Sequence, residues 1–255
     1  MTLFDVAGKF FVVTGGGRGI GEMISTGLVD AGATVLITSR KMDNLQATAD
    51  RLGEACLPVA ADLSTQDGVD SLAAAVGEHT DRVHVLVNNA GVAWGQPIDE
   101  FERRGFERVL DVNVTGVFAT TQALLPLLRV AATPEDPARV INVGSVDGFS
   151  VPYWETYSYS ASKAGVHHMS RHMAHRLTPE HITVNVIAPG FFPSDMTAFA
   201  LEDPEAGEKF AARIPRGRFG DADDITGTVI YLASRAGAYV TGAVLPVDGG
   251  VRTTQ

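Results

Sequence analysis

Residues 10–21 read FFVVTGGGRGIG, a short aromatic and β-branched run that leads directly into a glycine-rich loop. Helical periodicity begins at the end of this stretch, so the loop joins a strand to a helix. Glycines at such a turn let the backbone approach a pyrophosphate, and the helix N-terminus adds N–H groups and partial positive charge. A glycine-rich loop alone is weak evidence, but a preceding strand and a following helix are the context that this mechanism requires. The stretch therefore predicts a dinucleotide-binding βα unit.

Short apolar runs alternate with helical segments along the rest of the chain. Strands are predicted at 10–14, 34–38, 55–60, 83–87, 139–143, 183–187 and 243–247, with helices near 19–31, 42–52, 66–78, 105–130, 157–177 and 222–234. This alternation indicates an α/β fold, a Rossmann-type doubly wound parallel sheet of about seven strands with helices on both faces. With no repeat or linker, residues 1–255 are predicted to form a single domain. The irregular stretch 191–218, rich in Pro and Phe, is predicted to be a substrate lid.

Composition and charge restrict the partners of the protein. The formal net charge of −10 argues against nucleic acid and against an anionic membrane surface, since both attract clustered Lys and Arg. We expect no membrane-spanning helix, since no apolar run is predicted to reach the roughly 18 residues that such a helix needs. The N-terminus lacks a basic leader and a small-residue cleavage site, so we expect a cytoplasmic protein. The single cysteine, Cys56, cannot form an internal disulfide and is predicted to be a buried structural thiol.

The residues at the end of the second predicted strand indicate which dinucleotide is bound. NAD sites usually place a carboxylate there to hold the ribose 2′-hydroxyl. This chain has Ser39, Arg40 and Lys41 instead, and Arg40 can bind a phosphate in bidentate fashion. Arg18, inside the glycine loop, adds a second positive contact. The pattern favours NADP(H) over NAD(H), the alternative being that Arg40 and Lys41 are only solvated charges at the start of a helix.

A tyrosine and a lysine four residues apart form the candidate reacting pair. Tyr159 and Lys163 share one face of the helix predicted at 157–177, which keeps the ammonium near the phenol. Bringing the phenol pKa from about 10 to about 7 needs roughly 4 kcal/mol of differential interaction. A nearby cation and a closed, low-dielectric site supply interactions of this kind, so we expect a lowered pKa. Tyr153 and Tyr157 are not expected to take part, because Tyr157 lies six residues before Lys163.

Polar residues follow two further predicted strands. Ser145 ends the fifth strand, and Asn88-Asn89-Ala90-Gly91 ends the fourth. Ligands of open α/β sheets bind in the crevice at the carboxyl ends of the strands. A serine hydroxyl there can donate a hydrogen bond to a substrate oxygen as charge develops on it. The spacing therefore places Ser145 and the Asn-Asn-Ala-Gly run beside the same site.

Taken in order, the motifs resemble the short-chain dehydrogenase/reductase family across essentially the whole chain. Within that family the sequence is similar to 3-oxoacyl (β-ketoacyl) reductases, in particular the subgroup associated with rhamnolipid synthesis. The resemblance rests on TGGGRGIG at 14–21, Ala61-Asp62-Leu63, NNAG at 88–91, Asn113, Ser145, YSASK at 159–163, Pro189-Gly190, and Val247-Asp-Gly-Gly250.

The resemblance implies a role for each matching residue. Tyr159 is then the general acid in reduction, Lys163 holds the ribose and lowers the tyrosine pKa, Ser145 orients the carbonyl, and Asn113 anchors a water relay. The implied activity interconverts a carbonyl and a secondary alcohol with NADP(H), in a homotetramer or homodimer. No metal is implied. The implied cofactor-binding residues are Gly15, Gly17, Arg18, Gly19, Ile20, Gly21, Ser39, Arg40, Asp62 (at the adenine), Leu63, Asn89, Ala90, Gly91, Tyr159, Lys163, Pro189, Gly190, Phe192 and Ser194.

The substrate is less well defined by the sequence. A 3-oxoacyl thioester is the leading expectation, by resemblance. Glu135, Asp136 and Glu180 lie in regions where related reductases dock an acidic carrier protein, so repulsion favours coenzyme A or a free ketone such as a steroid, polyol or quinone. A noncatalytic NADP(H)-sensing protein and a dehydratase or epimerase are further alternatives. The first is expected to lose the reacting tyrosine or lysine, and the second to carry a larger substrate domain.

Two further groups of residues have open roles. His168, His172 and His175 are spaced to share one helix face, where they can bind a metal or, more in keeping with relatives that pair this helix, face a subunit or solvent. The aromatic residues of the predicted lid either line an apolar substrate pocket or only pack the lid. They are Phe191, Phe192, Phe199 and Phe210, and Trp94 is a further candidate for the pocket wall.

Overall fold

A computed structural model describes residues 2–152, 154–194, 197 and 204–254. Within these ranges, seven strands pair in parallel in the order β3-β2-β1-β4-β5-β6-β7, so the predicted Rossmann-type sheet is confirmed. The strands are β1 (Phe10–Thr14), β2 (Thr34–Ser39), β3 (Cys56–Ala60), β4 (Val85–Asn88), β5 (Ala138–Val143), β6 (Ile182–Pro189) and β7 (Val244–Val247). The helices are α1 (Gly19–Asp30), α2 (Met42–Leu52), α3 (Gln66–His79), α4 (Arg103–Leu110), α5 (Val117–Ala131), α6 (Tyr157–Leu177), α7 (Pro204–Ala211) and α8 (Ala222–Ala233).

Both faces of the sheet are covered, which explains why its strands are mainly apolar. In β1, Phe11 and Val13 join a core with α1, α2 and α8, whereas Phe10 and Val12 join a core with α3, α5 and α6. Successive side chains of a strand point to opposite faces, so a doubly covered strand favours apolar residues at most of its positions. The strand order reverses between β1 and β4, which opens a crevice at the carboxyl ends of these two strands.

Two segments differ from the sequence prediction. The single helix predicted near 105–130 is two helices, α4 and α5, joined by the π-helical turn Asp111–Gly116. A π turn inserts an extra residue into an otherwise continuous helix and leaves no clear mark in apolar periodicity. The stretch predicted to be irregular at 191–218 contains the short helix α7. Residues 195, 196 and 198–203 of that stretch, including Phe199, lie outside the described residues.

The helical run Arg103–Ala131 corrects the expectation that no segment is long and apolar enough to span a membrane. It contains an 18-residue window of mean hydropathy 1.3 and is long and apolar enough, by length and composition, to cross a membrane. In the structure, Leu124 and Leu128 of this run are buried in the core beneath the sheet. Of this window, 33% is buried inside the protein, so packing in the core accounts for part of its apolar character.

A partly buried ion network lies at the amino ends of the strands, where β1 and β5 begin. Lys9 Nζ donates to both carboxylate oxygens of Asp136, at 2.7 and 2.8 Å. Arg139, whose side chain is 1% exposed, donates to the same carboxylate and, at 3.0 Å, to the carbonyl of Ser234. Burial raises the pKa of Asp136, but the hydrogen bonds from Lys9 and Arg139 outweigh it, so the pKa is lowered overall. Asp136 is therefore an internal partner of two cations.

Candidate active site

A cavity of about 770 Å³ lies at the carboxyl ends of the strands. Its wall is formed by the segments that follow β1 to β6, as expected for the crevice of an open α/β sheet. All of the sequence-predicted cofactor residues lie on this wall, together with Ser145. They are Gly15, Gly17, Arg18, Gly19, Ile20, Gly21, Ser39, Arg40, Asp62, Leu63, Asn89, Ala90, Gly91, Tyr159, Lys163, Pro189, Gly190, Phe192 and Ser194.

Hydrogen bonds from the segment that follows β4 fix the conformation of the glycine loop. Gly15 has φ 67°, and a Cβ at Gly21 would lie 2.1 Å from the Gly15 carbonyl oxygen, so neither position accepts a side chain without strain. The Asn89 side-chain amide donates to the carbonyls of Thr14 and Gly15, at 2.9 and 3.2 Å. The Thr14 hydroxyl accepts the main-chain N–H groups of Asn89 and Ala90. The loop is thus a backbone cradle at the N-terminus of α1, which fits a pyrophosphate.

The far end of the cavity fits an adenosine that carries a 2′-phosphate. Ser39, Arg40 and Lys41 line it at the end of β2 and supply no carboxylate, while Arg40 supplies a guanidinium. Asp62, after β3, is held by Ser64, whose hydroxyl donates to its carboxylate at 2.7 Å. This hydrogen bond lowers the pKa of Asp62, and the positive charge of Arg40 lowers it further. The residues present therefore match NADP(H) better than a site built to hold a free 2′-hydroxyl.

The reacting end of the cavity combines Ser145, Tyr159 and Lys163. The Ser145 hydroxyl lies close to the Tyr159 phenol and interacts with it. The Ser145 Oγ also accepts the main-chain N–H of Asp147 at 3.1 Å. Lys163 Nζ lies 5.5 Å from the centre of the Tyr159 ring and donates to the Val143 carbonyl at 2.8 Å. Two hydroxyls and an ammonium therefore meet at the same end of the cavity.

Asn113 lies behind the cavity rather than on its wall. It belongs to the π-helical turn and is 1% exposed. Its side chain accepts the main-chain N–H of Val92 and donates to the Val92 carbonyl, each at 2.9 Å, and donates to Ser162 Oγ at 3.0 Å. These contacts tie the segment after β4 to helix α6 one residue before Lys163. In this arrangement the Asn113 side chain positions its neighbours.

Similarity to known proteins decides the family. A family model described as Enoyl-(Acyl carrier protein) reductase matches residues 15–252. The chain is 49% identical over 249 residues to the rhamnolipids biosynthesis 3-oxoacyl-[acyl-carrier-protein] reductase of Pseudomonas aeruginosa, with 97% of each chain covered. It is 34% identical over 249 residues to 3-oxoacyl-[acyl-carrier-protein] reductase FabG of Aquifex aeolicus, with 96% of this chain and 97% of that one covered. The Pseudomonas aeruginosa RhlG/NADP active-site complex matches with a TM-score of 0.95 at 48% identity, covering 99% of each chain.

The chain belongs to the short-chain dehydrogenase/reductase family. The resemblance inferred from the motifs is thereby confirmed, including the similarity to the rhamnolipid-synthesis and other 3-oxoacyl reductases. The protein is an NADP(H)-dependent oxidoreductase that interconverts carbonyl and alcohol groups. Because the matching relatives are oxidoreductases, an enzyme is favoured over a noncatalytic NADP(H)-sensing protein.

The pKa of Tyr159 differs from the value predicted from the sequence. Burial raises the pKa of Tyr159 to about 12, and the charge of Asp147 raises it too, while the hydrogen bond with Ser145 lowers it. The spacing of Tyr159 and Lys163 predicts a lowered pKa for Tyr159, and that prediction is wrong for the protein alone. In the protein alone, desolvation dominates the pKa of Tyr159, and burial lowers the pKa of Lys163 to about 8. A neutral phenol is the form that can donate a proton to a carbonyl oxygen.

Several other sequence-predicted residues lie away from the site. Trp94 does not line the cavity; its indole donates to Gln96 at 2.7 Å and its ring packs on α4. Tyr157 donates to Glu155 at 2.5 Å, as expected of a residue outside the site, and Tyr153 lies outside the described residues. The predicted histidine row is exposed, and the described residues contain no cluster that could hold a metal ion. The row consists of His168, His172 and His175.

The cavity wall also contains residues that the sequence analysis missed. Asp147, Trp154 and Thr156 line its reacting end. The ring of Trp154 stacks on Phe210 with centroids 6.1 Å apart, and Phe210 meets Phe191 edge-on at 4.7 Å. Asp147 lies two residues after Ser145, and this spacing could have predicted that it lines the cavity. Trp154 gave no such signal, because it lies at the cavity beside the rings of a segment distant in sequence, Phe191 and Phe210.

Proposed function

We propose that this protein uses NADPH to reduce the 3-oxo group of a 3-oxoacyl thioester to a 3-hydroxyl group. The observation that carries the proposal is the meeting of the Ser145 and Tyr159 hydroxyls beside the Lys163 ammonium, at one end of a dinucleotide-sized cavity. Two hydroxyl donors that converge on one point suit a carbonyl oxygen that gains negative charge. The relatives from Pseudomonas aeruginosa and Aquifex aeolicus are both named for 3-oxoacyl substrates, which supports the thioester.

Each catalytic side chain has a distinct task in the proposed reaction. Bound NADPH supplies a hydride to the carbonyl carbon, and the protein manages the oxygen and its proton. Ser145 donates a hydrogen bond that orients the carbonyl, and Tyr159 transfers its phenolic proton to the oxygen. Lys163 holds the ribose and places a positive charge beside the resulting phenolate. Asn113 fixes the segment after β4 against α6 and anchors the relay that returns a proton to Tyr159.

Charge pairing in the structure weakens the argument against a carrier protein. Asp136 is bound by Lys9 and Arg139, and Glu180 accepts a hydrogen bond from Arg129 at 2.7 Å and lies 3.8 Å from Arg176. Two of the carboxylates expected to repel an acidic partner are therefore balanced by cations. We propose a thioester carried either by an acyl carrier protein or by coenzyme A.

A substrate panel tests the proposed function. NADPH oxidation is followed with acetoacetyl-CoA, acetoacetyl carrier protein, a simple ketone and crotonyl-CoA. The crotonyl arm is included because the matching family model is described by enoyl reduction. Turnover of either acetoacetyl thioester above the simple ketone is expected. Turnover of crotonyl-CoA alone, or of the ketone alone, would reject the proposal.

The cavity is closed on one side by aromatic residues of the stretch 191–218. Phe191 lines it directly, and Phe210 of α7 packs against both Phe191 and Trp154. These contacts support the proposal that 191–218 is a substrate lid within a single domain spanning residues 1–255. An aromatic wall also suits the apolar chain of an acyl substrate.

Arg40→Ala is expected to weaken NADPH binding about tenfold or more while leaving NADH binding unchanged. A charge-assisted hydrogen bond contributes about 1.5–3 kcal/mol, and only NADPH carries the phosphate that Arg40 faces. The dissociation constants of both dinucleotides are measured by titration. Arg51→Ala on α2 is the matched control, because Arg51 pairs with Glu22 and does not line the cavity. Equal losses for both dinucleotides would mean that Arg40 is only a solvated charge.

We propose that the protein is cytoplasmic and assembles as a homotetramer or homodimer, with the exposed histidine row of α6 at an interface. Protonation of adjacent histidines adds like charges, so assembly is expected to weaken from about pH 8 to about pH 5.5. Solution mass at both pH values measures this. The control is the triple variant His168→Gln, His172→Gln and His175→Gln, which should keep the same mass at both. An unchanged oligomer in the unmodified protein would contradict the prediction.

A further inference from the structure

Asp147 is an acidic group at the reacting end of the cavity to which the mechanism above gives no task. It lies in the 3₁₀ turn Val146–Gly148 that follows Ser145, and it lines the cavity near Tyr159 and Lys163. Its main-chain N–H donates to Ser145 Oγ at 3.1 Å. Within the described part of the chain, its carboxyl oxygens have no hydrogen-bond partner. A part-buried carboxyl that faces a cavity without a protein partner is available to a ligand.

The turn that carries Asp147 is fixed by the imidazole of His167. A Cβ at Gly144 would lie 2.3 Å from His167 Nε2, and one at Gly148 would lie 2.5 Å from its Cε1, so both glycines lie directly on the ring. The Phe149 ring lies 4.6 Å from the same imidazole. The main-chain N–H of Gly148 donates to the Ser145 carbonyl at 3.1 Å. The carboxyl of Asp147 is thus presented to the cavity by a firmly packed turn.

The charges around Asp147 leave its carboxyl easy to protonate. Burial raises the pKa of Asp147 to about 6, although the nearby Lys163 ammonium acts to lower it. His167 is uncharged near neutrality, because burial and Lys163 lower its pKa to about 4. Tyr159 faces the same space as a neutral phenol, and Arg252 of the C-terminal turn is directed at Phe149, 4.5 Å from that ring. The ammonium of Lys163 is itself engaged by the Val143 carbonyl.

The two states of the carboxyl have opposite effects on the reaction. An ionised Asp147 raises the pKa of Tyr159 and repels negative charge that develops on the reacting oxygen. A protonated Asp147 becomes a hydrogen-bond donor instead. A 3-oxoacyl thioester has a second carbonyl, one methylene away from the reacting one, whereas a simple ketone has none. Ser145 and Asp147, two residues apart on one turn, face the same end of the cavity.

We propose that the protonated Asp147 carboxyl donates a hydrogen bond to the thioester carbonyl oxygen while Ser145 and Tyr159 hold the 3-oxo group. Asp147 thereby selects 1,3-dicarbonyl substrates over simple ketones. This inference rests on the proposed reduction of 3-oxoacyl thioesters. It adds a specificity-determining residue at the same site.

The test compares Asp147→Asn and Asp147→Ala with the unmodified enzyme. For each, kcat/KM is measured with acetoacetyl-CoA and with cyclohexanone from about pH 5 to about pH 8, a range that spans the raised carboxyl pKa. Asp147→Ala is expected to lower the thioester-to-ketone ratio of kcat/KM about tenfold, the usual effect of one lost hydrogen bond. Asp147→Asn keeps an N–H donor and should keep most of that ratio. NADPH affinity and melting temperature show that both variants remain folded.

The pH profile provides a readout that a purely structural role would not change. Because the protonated form is the active one, the ratio in the unmodified enzyme should fall as the pH rises through about 6, where Asp147 ionises. Asp147→Asn should remove this fall. An unchanged ratio in Asp147→Ala, or the same fall in Asp147→Asn, would overturn the inference alone. Absence of thioester reduction by the unmodified enzyme would instead reject the proposed function, and the inference with it.

Discussion

Tyr159→Phe is expected to lower kcat for reduction by a factor of about 10² to 10⁴, the usual contribution of a positioned general acid. The substitution removes only the phenolic oxygen, which lies close to the Ser145 hydroxyl and to the Lys163 ammonium. Because burial raises the pKa of Tyr159 to about 12, the phenol is protonated at neutral pH and its proton is available in the reductive direction. Steady-state NADPH oxidation with acetoacetyl-CoA measures the loss, and a titration measures NADPH affinity.

Tyr157→Phe is the matched control for this prediction. Tyr157 lies on the same helix but donates its hydroxyl to Glu155, away from the cavity. Its removal should leave kcat unchanged. Retention of full activity by Tyr159→Phe would contradict the assigned mechanism, and a parallel loss in Tyr157→Phe would point to a general disturbance of α6. Loss of NADPH affinity without loss of kcat would assign Tyr159 to binding alone.

The opposite direction of the reaction has its own pH dependence. Alcohol oxidation requires the phenolate, and a raised folded-state pKa makes that form scarce near neutrality. Oxidation by the unmodified enzyme should therefore accelerate as pH rises, while reduction slows as Asp147 ionises. Comparing both directions separates the titration of Tyr159 from that of Asp147, since only the former persists in Asp147→Asn.

The parts of the fold that the sequence predicts well depend on local chemistry. β1 and the glycine loop are predictable because their backbone accepts only certain residue types. Gly15 and Gly21 are examples, since neither position accepts a side chain without strain. The same holds for Tyr159 and Lys163, because a spacing of four residues fixes their common face on any helix. Parallel pairing then follows from the alternation of strands with helices, and the crossover brings the strand ends together.

The features that the sequence missed are set by contacts between distant segments. The pKa of Tyr159 depends on burial, which the spacing of Tyr159 and Lys163 cannot reveal. Asp147 faces the cavity because His167, on α6, supports its turn from behind. Trp94 was placed near the pocket by its position after β4, but packing against Gly105 of α4 draws it away. In each case the deciding factor is burial or packing in the folded protein, which a local sequence pattern does not show.

Asp136→Asn is expected to destabilise the protein by about 2 kcal/mol at neutral pH, which lowers the melting temperature by about 4–8 °C. The substitution leaves Lys9 and the buried Arg139 facing each other without their shared anion. The expected loss is below the roughly 3–5 kcal/mol of a fully buried broken pair, because the Asp136 side chain is 41% exposed. Thermal or urea unfolding measures the loss, and Asp81→Asn, at an exposed pair with Arg82, is expected to show no measurable change.

The effect of Asp136→Asn on stability should depend on pH. Because the folded-state pKa of Asp136 is lowered, its contribution is present above the unfolded pKa of about 4 and is lost as pH falls through the folded value. The difference in stability between Asp136→Asn and the unmodified protein should therefore shrink in acid. Lys9→Met combined with Asp136→Asn should cost less than the two single changes added together, because Lys9 is then no longer left as a cation facing Arg139 without the shared anion. Strictly additive losses would show that the network does not couple these residues.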